Sequence, residues 1–269
     1  MNAGVFSVCN FEEGAGLLSH EISADYQGSY LSVVKEKFLN DTLVAIRDLL
    51  SSLTSLDLVA PQSLRVSSRG EYPQGIGIMG EHIGAFYSSL SEANKQALLK
   101  DFQSVYPDVE RIYITRKRAG WIVLNFVQKF MGDALIDVTA QHTSDGMLRI
   151  FAILAEGFSP AGIVCFDEIE NGVNVEITEK LVQALLVIAR RKQVIVTTHS
   201  IMLLNYLPDD IAERAVQMIY KTEKGETKCI PYFSLDKAKR QMPSYAPGDI
   251  VLDYTLDRAA ADAERLRRS

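Results

Sequence analysis

The sequence predicts an α/β fold in which helices flank a mostly parallel sheet, with a helical and antiparallel subdomain inserted before it. Two short segments, the wholly apolar 163–166 and then 194–198, which begins Val-Ile-Val, are typical of strands that are buried on both faces of a parallel sheet. Apolar residues at helical spacing over 177–188 lie between them and predict a connecting helix. Strand, helix and strand in this order predict a parallel pair joined by a right-handed crossover.

The composition is that of an ordinary globular protein and excludes several functional classes. Of 269 residues, 47% are hydrophobic and 23% are charged, so we expect a sizeable core rather than a disordered chain. The net charge of −6 argues against a protein coated by nucleic acid. The 3 cysteines lack metal-type spacing, which excludes a cysteine zinc site and predicts a cytoplasmic, reducing environment. No apolar run approaches the roughly 20 residues of a membrane span.

The first half of the chain predicts helices followed by antiparallel strands. Apolar residues at helical spacing predict one long amphipathic helix over 31–50, and a second helix over 91–106. From residue 109 the spacing of apolar residues changes to every second position, which is the period of a β-strand. The segments 109–116 and 121–127 predict a hairpin, and 134–140 predicts a third strand.

The second half predicts the alternating part of the fold and a tail. A helix is predicted around 147–154, before the first buried strand, and a hairpin is predicted over 216–232. The alanine- and arginine-rich tail from Asp257 predicts an exposed helix. We therefore divide the chain into an N-terminal segment with the long helix (1–57), an intervening helix and antiparallel subdomain (58–140), a lobe with the site motifs (141–232) and a C-terminal tail (233–269).

Two carboxylates, Asp167 and Glu168, directly follow the first buried strand. The carboxyl ends of parallel strands form the edge at which α/β proteins bind ligands. In a nucleotide hydrolase the first carboxylate can hold the Mg²⁺ shell, and the second can polarise the attacking water. Alone, the pair fits equally well a strand that ends in a solvated acidic turn.

A histidine follows the second buried strand, in the run Thr-Thr-His-Ser at 197–200. Glu168 and His199 are separated by 199 − 168 = 31 residues, enough for one crossover helix and a returning strand. We therefore expect the two side chains to be neighbours, with His199 placed to sense a phosphate. An isolated histidine at a strand end is more often structural.

A helix start at Ser144 forms the third candidate feature. Ser144 is typical of a helix N-cap, and Gly146 allows a ligand to approach the backbone. Free amides at a helix N-terminus attract phosphate. Because Gly146 precedes the apolar stripe, we expect a bulky residue there to leave folding intact. The alternative is an ordinary capped core helix.

In this order, the three segments resemble the C-terminal half of an ABC-type ATPase head, within the RecF/SMC-like, AAA-type ATP-binding group of P-loop NTPases. The signature of that group is similar to Ser-Asp-Gly-Met-Leu-Arg at 144–149. Its Walker B strand ends in a pattern like Asp-Glu-Ile-Glu-Asn-Gly at 167–172, and its switch strand resembles 197–200.

The resemblance extends less specifically upstream. The stretches 80–90 and 106–109 resemble the group's intervening subdomain, so that the likeness spans 58–232. One departure is Val-Asn-Val at 173–175, where the group usually has His-Pro. The departure affects the loop after the carboxylates and leaves the carboxylate pair itself intact.

The resemblance implies an ATP hydrolase that uses ATP and Mg²⁺ as cofactors. Asp167 would complete the metal site, Glu168 would be the catalytic base, and His199 would be the switch histidine. A fold-level likeness does not fix the biological role. From the family alone, we expect coupling to DNA transactions or to antiviral defence, with an effector nuclease as a further partner.

The resemblance also implies a dimer of heads, homomeric or heteromeric, that closes on ATP. Ser144, Asp145 and Gly146 would contact ATP held by the opposing head. Glu170, Asn171 and Gly172 would form the D-loop at the interface. No membrane partner is expected.

The phosphate-binding Walker A loop of such ATPases is missing from this sequence. That loop needs Gly-x-x-x-x-Gly-Lys-Ser/Thr, and none of the 17 glycines is followed by lysine. Three explanations remain open: a loop on a separate chain, a truncated or internally started product of a longer protein, and a degenerate head that binds no nucleotide. Correspondingly, the chain is either a hydrolysing subunit completed from elsewhere or a non-hydrolysing module that offers its signature helix to a partner head.

Two basic clusters are candidates for nucleic-acid contacts. Arg116, Lys117 and Arg118 lie at the predicted hairpin tip near Trp121, and the tail carries arginines at 265, 267 and 268. Short clusters of this kind are more often solvated turns. DNA therefore remains an open alternative among the partners.

Overall fold

A computed structural model describes residues 4–12, 16–24, 29–58, 61–69, 74–130, 134–171, 173–222 and 224–268. In this part of the chain a three-stranded parallel sheet and a three-stranded antiparallel sheet are flanked by helices, and two further hairpins are present. The predicted α/β fold class is therefore confirmed. No helix among the described residues is long and apolar enough to cross a membrane.

The first part of the chain does not contain the predicted long helix over 31–50. Asn40 interrupts it, because its side chain accepts a hydrogen bond from the Leu43 amide (2.9 Å) and caps a new helix. The elements here are β1 (Gly4–Glu12), which pairs antiparallel with β2 (Gly16–Ala24), α1 (Tyr30–Val33), α2 (Asp41–Ser51), β3 (Leu53–Leu56) and α3 (Pro61–Arg65).

The intervening subdomain follows the predicted order of helix and antiparallel strands. Its elements are α4 (Ile83–Ser89), α5 (Glu92–Val105), β4 (Val109–Arg116), β5 (Ile122–Lys129) and β6 (Leu135–Thr139). The Ser91 hydroxyl caps α5 by accepting from the Asn94 amide (3.2 Å). The strands pair antiparallel in the order β4-β5-β6.

The alternating part contains α6 (Asp145–Glu156), β7 (Ile163–Phe166), α7 (Val175–Ile188) and β8 (Gln193–Val196). The parallel sheet has the order β3-β7-β8, with Leu56, Phe166 and Val196 in register at the ends of the strands. The three carboxyl ends therefore meet at one edge. Helix α6 is buried from Met147 to Glu156, which places it at the centre of the core.

One hydrophobic core joins the antiparallel sheet to the parallel sheet. Phe151 of α6 makes edge-on ring contacts with Phe102 of α5 and Phe126 of β5, with centroids 5.3 and 5.2 Å apart. The intervening subdomain and the site lobe thus share their packing, and α6 is held from both sides.

A second core lies in the C-terminal part, which contains α8 (Ile201–Asn205), α9 (Asp209–Ala215), β9 (Gln217–Lys221), β10 (Thr227–Pro231), α10 (Asp236–Gln241), α11 (Pro247–Asp253) and α12 (Leu256–Arg268). The hairpin predicted over 216–232 is confirmed as the antiparallel pair β9-β10. Met218 of this hairpin is buried in the second core. The prediction of a fully exposed tail helix is wrong, because Ala259 and Ala263 of α12 are buried in the same core.

Candidate functional site

Asp167 and Glu168 lie at the carboxyl end of the central strand β7, and both are exposed. Glu168 has a φ of 42°, in the left-handed region that residues other than glycine rarely adopt. Such strain persists only where surrounding contacts impose it, and it is concentrated at functional sites.

Thr197 supplies the contacts that hold this turn. Its hydroxyl accepts a hydrogen bond from the Glu168 amide (2.8 Å) and donates one to the Asp167 carboxylate. Its own amide donates to the Phe166 carbonyl (2.9 Å). The residue that follows β8 therefore fixes both carboxylates that follow β7. The sequence contained Thr197 within a recognised motif but gave no reason to assign it this function.

The structure brings Glu168 and His199 together, as their spacing predicted. Glu168 Oε1 lies 3.9 Å from His199 Nε2, and the imidazole is 86% exposed. The other Glu168 oxygen, Oε2, accepts a hydrogen bond from the Asn171 side chain. The backbone amide of His199 donates to Glu170 Oε1 (2.6 Å). The loop after β7 and the loop after β8 are thus joined at several points.

Arg149 connects α6 to the loop after β7, and this contact was not predicted. Its guanidinium is buried and donates to the carbonyls of Ile169 (3.3 Å) and Asn171 (2.7 Å). Burial lowers the pKa of Arg149, while the charges of Asp145 and Asp57 act in the opposite direction. A lone arginine within the apolar run of α6 was the available signal.

The three predicted nucleotide contacts of the signature, Ser144, Asp145 and Gly146, all make contacts within the chain. The Ser144 hydroxyl caps α6 by accepting from the Met147 amide (3.3 Å), and Asp145 forms an ion pair with Arg65. A Cβ added to Gly146 would lie 3.0 Å from Ile177 Cγ1 in α7.

The expectation that a bulky residue at Gly146 leaves folding intact stays a prediction, and the structure adds that the Ile177 side chain would have to shift to admit that residue. The predicted D-loop residue Gly172 lies outside the described residues.

A cavity of about 310 Å³ opens beside the carboxylates. It is lined by Ser55, Leu56, Asp57, Ile78, Asp167 and Glu168. Asp57 adds a third carboxylate, at the end of β3, and its amide donates to the Ile78 carbonyl (2.8 Å). Asp57 could not be predicted from the sequence, because the four-residue β3 is too short for its period to be recognised.

The donor set suits Mg²⁺ only together with a phosphate ligand. Among the described residues, no group of three or more His, Cys, Asp or Glu side chains is arranged to hold a metal ion. Mg²⁺, however, retains several waters and commonly uses one or two carboxylates plus substrate phosphates. Asp167 is exposed and is oriented by Thr197, so it fits this sparse mode of binding.

The residues 80–205 match a protein-family model described as "AAA domain, putative AbiEii toxin, Type IV TA system". The matched segment contains the helix start at Ser144, the carboxylates Asp167 and Glu168, and His199. The resemblance to an AAA-type domain is thereby supported for this segment. No curated protein sequence matches the chain.

Several solved structures are similar in part. The Smc head domain with a coiled coil and joint from Pyrococcus yayanosii is 17% identical, with a TM-score of 0.38 over 56% of this chain and 29% of that one. An SMC head bound to the C-terminal winged-helix domain of ScpA is 16% identical, with a TM-score of 0.44 over 70% of this chain and 60% of that one. A structure from work on ATP-driven dimerisation and DNA-stimulated activation of SMC ATPases is 15% identical, with a TM-score of 0.38 over 56% of this chain and 92% of that one. Likeness at these identities concerns the fold alone, and the chain spans less than a third of the Pyrococcus yayanosii protein.

Proposed function

We propose that this chain contributes the Walker B, signature and switch elements of an ATP-hydrolysing head, and that its phosphate-binding loop comes from another chain or from another part of a longer protein. The observation that carries the proposal is the arrangement at the ends of β7 and β8. There Thr197 orients Asp167 and Glu168 together, and His199 lies beside Glu168.

In this proposal Asp167 binds Mg²⁺ through its carboxylate, directly or through water. When bound, the ion neutralises charge on the β- and γ-phosphates. The Thr197 hydroxyl keeps the Asp167 carboxylate aimed at the edge of the sheet. Asp57 lies in the same cavity and adds negative charge that favours a cation there.

Glu168 is the proposed general base. Its side chain is 48% exposed, so a water can reach it, while Asn171 holds one of its oxygens. Glu168 accepts a proton as the water oxygen bonds to the γ-phosphorus. The bond from that phosphorus to the β–γ bridging oxygen breaks, and the electron pair leaves with ADP. His199 would orient the γ-phosphate or the water.

The N-terminus of α6 would contact ATP held by a second head, with Asn171 and Gly172 at the interface between heads. Ser144 and Asp145 are exposed, which supports access to a partner. Arg149 ties α6 to the loop that carries Glu168, so a contact at the helix start would act on the base. The partner head, a coupling to DNA or antiviral defence, and an effector nuclease follow from the resemblance.

A non-hydrolysing interaction module is the second candidate. It is favoured by the cavity lining, which contains no lysine or arginine among the described residues. Such a module would present α6 to a partner head without reacting itself.

The substitution Glu168→Gln separates the two candidates. In the complete assembly, purified with the polypeptide that carries the phosphate loop, we expect ATP to bind normally and kcat to fall about 10²–10⁴-fold. Glu213→Gln, at an exposed glutamate on α9, makes the same chemical change away from the site and should leave turnover unchanged. Phosphate release and nucleotide binding are the measurements. Wild-type turnover in Glu168→Gln would favour the interaction module.

A further inference from the structure

A groove of about 550 Å³ lies between α3 and the start of β5, and it shares no lining residue with the cavity beside the carboxylates. Its lining includes the chain's single tryptophan. We call it the tryptophan groove, lined by Gln62, Arg65, Val66, Ser67, Trp121 and Gln141. Trp121 is 40% exposed, so part of its ring is open to a ligand. An exposed aromatic in a concave surface indicates a place for a flat ligand.

The fold brings separate basic residues to this tryptophan. Ser68 and Ile122 exchange both backbone hydrogen bonds (3.1 and 2.9 Å), which aligns Arg69 with the start of β5. The Lys117 amide donates to the Trp121 carbonyl (2.7 Å) and closes the hairpin tip. The Arg69 guanidinium consequently lies 5.9 Å from the centroid of the Trp121 ring.

The cations around Trp121 are not neutralised within the described part of the chain. Arg69, Lys117 and Arg118 are exposed, and none of them forms an ion pair with a described carboxylate. Arg116 donates to the Ser88 hydroxyl (2.9 Å), which leaves its charge uncompensated as well. In a chain with a net charge of −6, this local excess of positive charge suits a polyanion.

We infer that the tryptophan groove binds single-stranded DNA, with an unpaired base stacked on Trp121 and adjacent phosphates on Arg69, Lys117 and Arg118. Exposed aromatic faces beside cations are the usual platform for unpaired bases. A duplex hides its base faces, so it would engage the cations but not the ring.

Arg65, the guanidinium in the wall of the groove, donates to the carbonyls of Ala140 and Gln141 and pairs with Asp145. The cations that remain for a ligand are those around Trp121. Stacking on the ring and charge on the phosphates need no ribose 2′-hydroxyl, so DNA satisfies both. The inference goes beyond the proposed ATPase function and does not depend on it.

Binding can be tested on the full 269-residue chain, because Trp121 is its only tryptophan and its fluorescence reports on the groove directly. The fluorescence anisotropy of a fluorescein-labelled oligothymidylate of about 20 nucleotides should rise on binding. An unlabelled oligothymidylate should quench the tryptophan fluorescence. Trp121→Ala should weaken binding about 5- to 150-fold, the usual loss of one stacked base. Trp121→Phe should retain an intermediate affinity.

The charges are tested separately. Lys117→Gln combined with Arg118→Gln should reduce the slope of log Kd against log salt by about 1.4, at about 0.7 for each phosphate contact on a single strand. The matched control, Lys239→Gln with Arg240→Gln on the exposed face of α10, removes the same charge and should leave the slope unchanged.

Three results would overturn the inference: no tryptophan quenching, unchanged affinity in Trp121→Ala, or duplex DNA binding as tightly as the single strand. RNA of equivalent sequence binding more than tenfold tighter would overturn the assignment to DNA. Thermal unfolding of each variant verifies that it is folded. If Trp121→Ala does not fold, Trp121→Phe and the charge variant still test the site. Unaltered affinity in Trp121→Phe, together with an unaltered salt dependence in Lys117→Gln with Arg118→Gln, would refute it.

Discussion

At the scale of single residues, the site depends on side chains that bridge distant segments. Thr197 lies 30 residues from Asp167 and 29 from Glu168, yet one hydroxyl contacts both residues. Its substitution by valine would keep the volume and remove the hydroxyl. The positive φ of Glu168 would then lose the contact that holds its amide.

Arg149 offers a prediction at this scale. Arg149→Met removes the donors to the Ile169 and Asn171 carbonyls and leaves the buried Ile169 carbonyl without that partner. We expect the free energy of unfolding to fall by about 1–3 kcal/mol, measured by urea denaturation. The free energy of unfolding of Arg149→Lys should lie between those of the wild type and Arg149→Met, because an ammonium group reproduces the charge but not the planar fork of hydrogen-bond donors.

The control for Arg149 is Arg190→Met, at an exposed position after α7. That substitution should change stability by less than about 0.5 kcal/mol, as most surface changes do. Equal losses in the two variants would mean that the buried contacts of Arg149 contribute nothing specific.

The carboxylates and His199 could be predicted from the sequence, because each directly follows an apolar strand. Periodicity reports where a strand ends, and parallel strands end together. Arg149 and Asp57 could not be predicted in this way. Arg149 contacts a loop 20 and 22 residues away, and such contacts follow from the packing of α6 in the core.

At the scale of elements, end signals decided which helices were predicted correctly. The Ser91 cap preceded an apolar stripe whose members Leu98 and Phe102 are buried, and α5 has nearly its predicted bounds. The Asn40 cap lay inside an equally regular stripe and was overlooked. Helix α2, which follows it, buries none of its residues, so its apolar spacing did not indicate core packing.

The contact between α6 and α7 provides a prediction for an element. Gly146→Val would place a Cβ 3.0 Å from Ile177 Cγ1 and add two methyl groups where the helices approach. Overpacking of this kind typically costs about 1–3 kcal/mol in the free energy of unfolding.

The double variant Gly146→Val with Ile177→Ala should recover part of that loss, since the smaller side chain makes room. Chemical denaturation of the wild type, the two single variants and the double variant gives the coupling energy. Additive effects would show that Gly146 and Ile177 do not restrict each other. A glycine at 146 would then not be needed for the packing of α6 against α7.

At the scale of the whole molecule, two hydrophobic cores meet at Leu207, which packs against both. The hairpin β9-β10 was predicted as a pair, but periodicity could not tell which core it joins. The tail helix was wrongly predicted to be exposed, also because the sequence pattern did not indicate its packing. Alanine carries little hydrophobic signal, yet its small size lets Ala259 and Ala263 pack closely within the second core.

The last prediction concerns ATP hydrolysis by the 269-residue chain alone. The cavity beside Glu168 contains the carboxylates Asp57, Asp167 and Glu168, with no lysine or arginine in its described lining. A triphosphate brought there meets like charge, and one Mg²⁺ offsets only part of it. The sequence supplies no Gly-Lys pair whose amides and ammonium group could hold the phosphates.

We therefore expect the purified chain to release phosphate from Mg·ATP no faster than its Glu168→Gln variant. Adding the polypeptide that carries the phosphate loop should raise the wild-type rate and leave the variant's rate low. The pair of measurements separates a missing loop from a defective base, because only the loop can be supplied in trans. A robust Mg²⁺-dependent rate from the chain alone, abolished by Glu168→Gln, would mean that these residues hold the triphosphate by a route other than a phosphate loop.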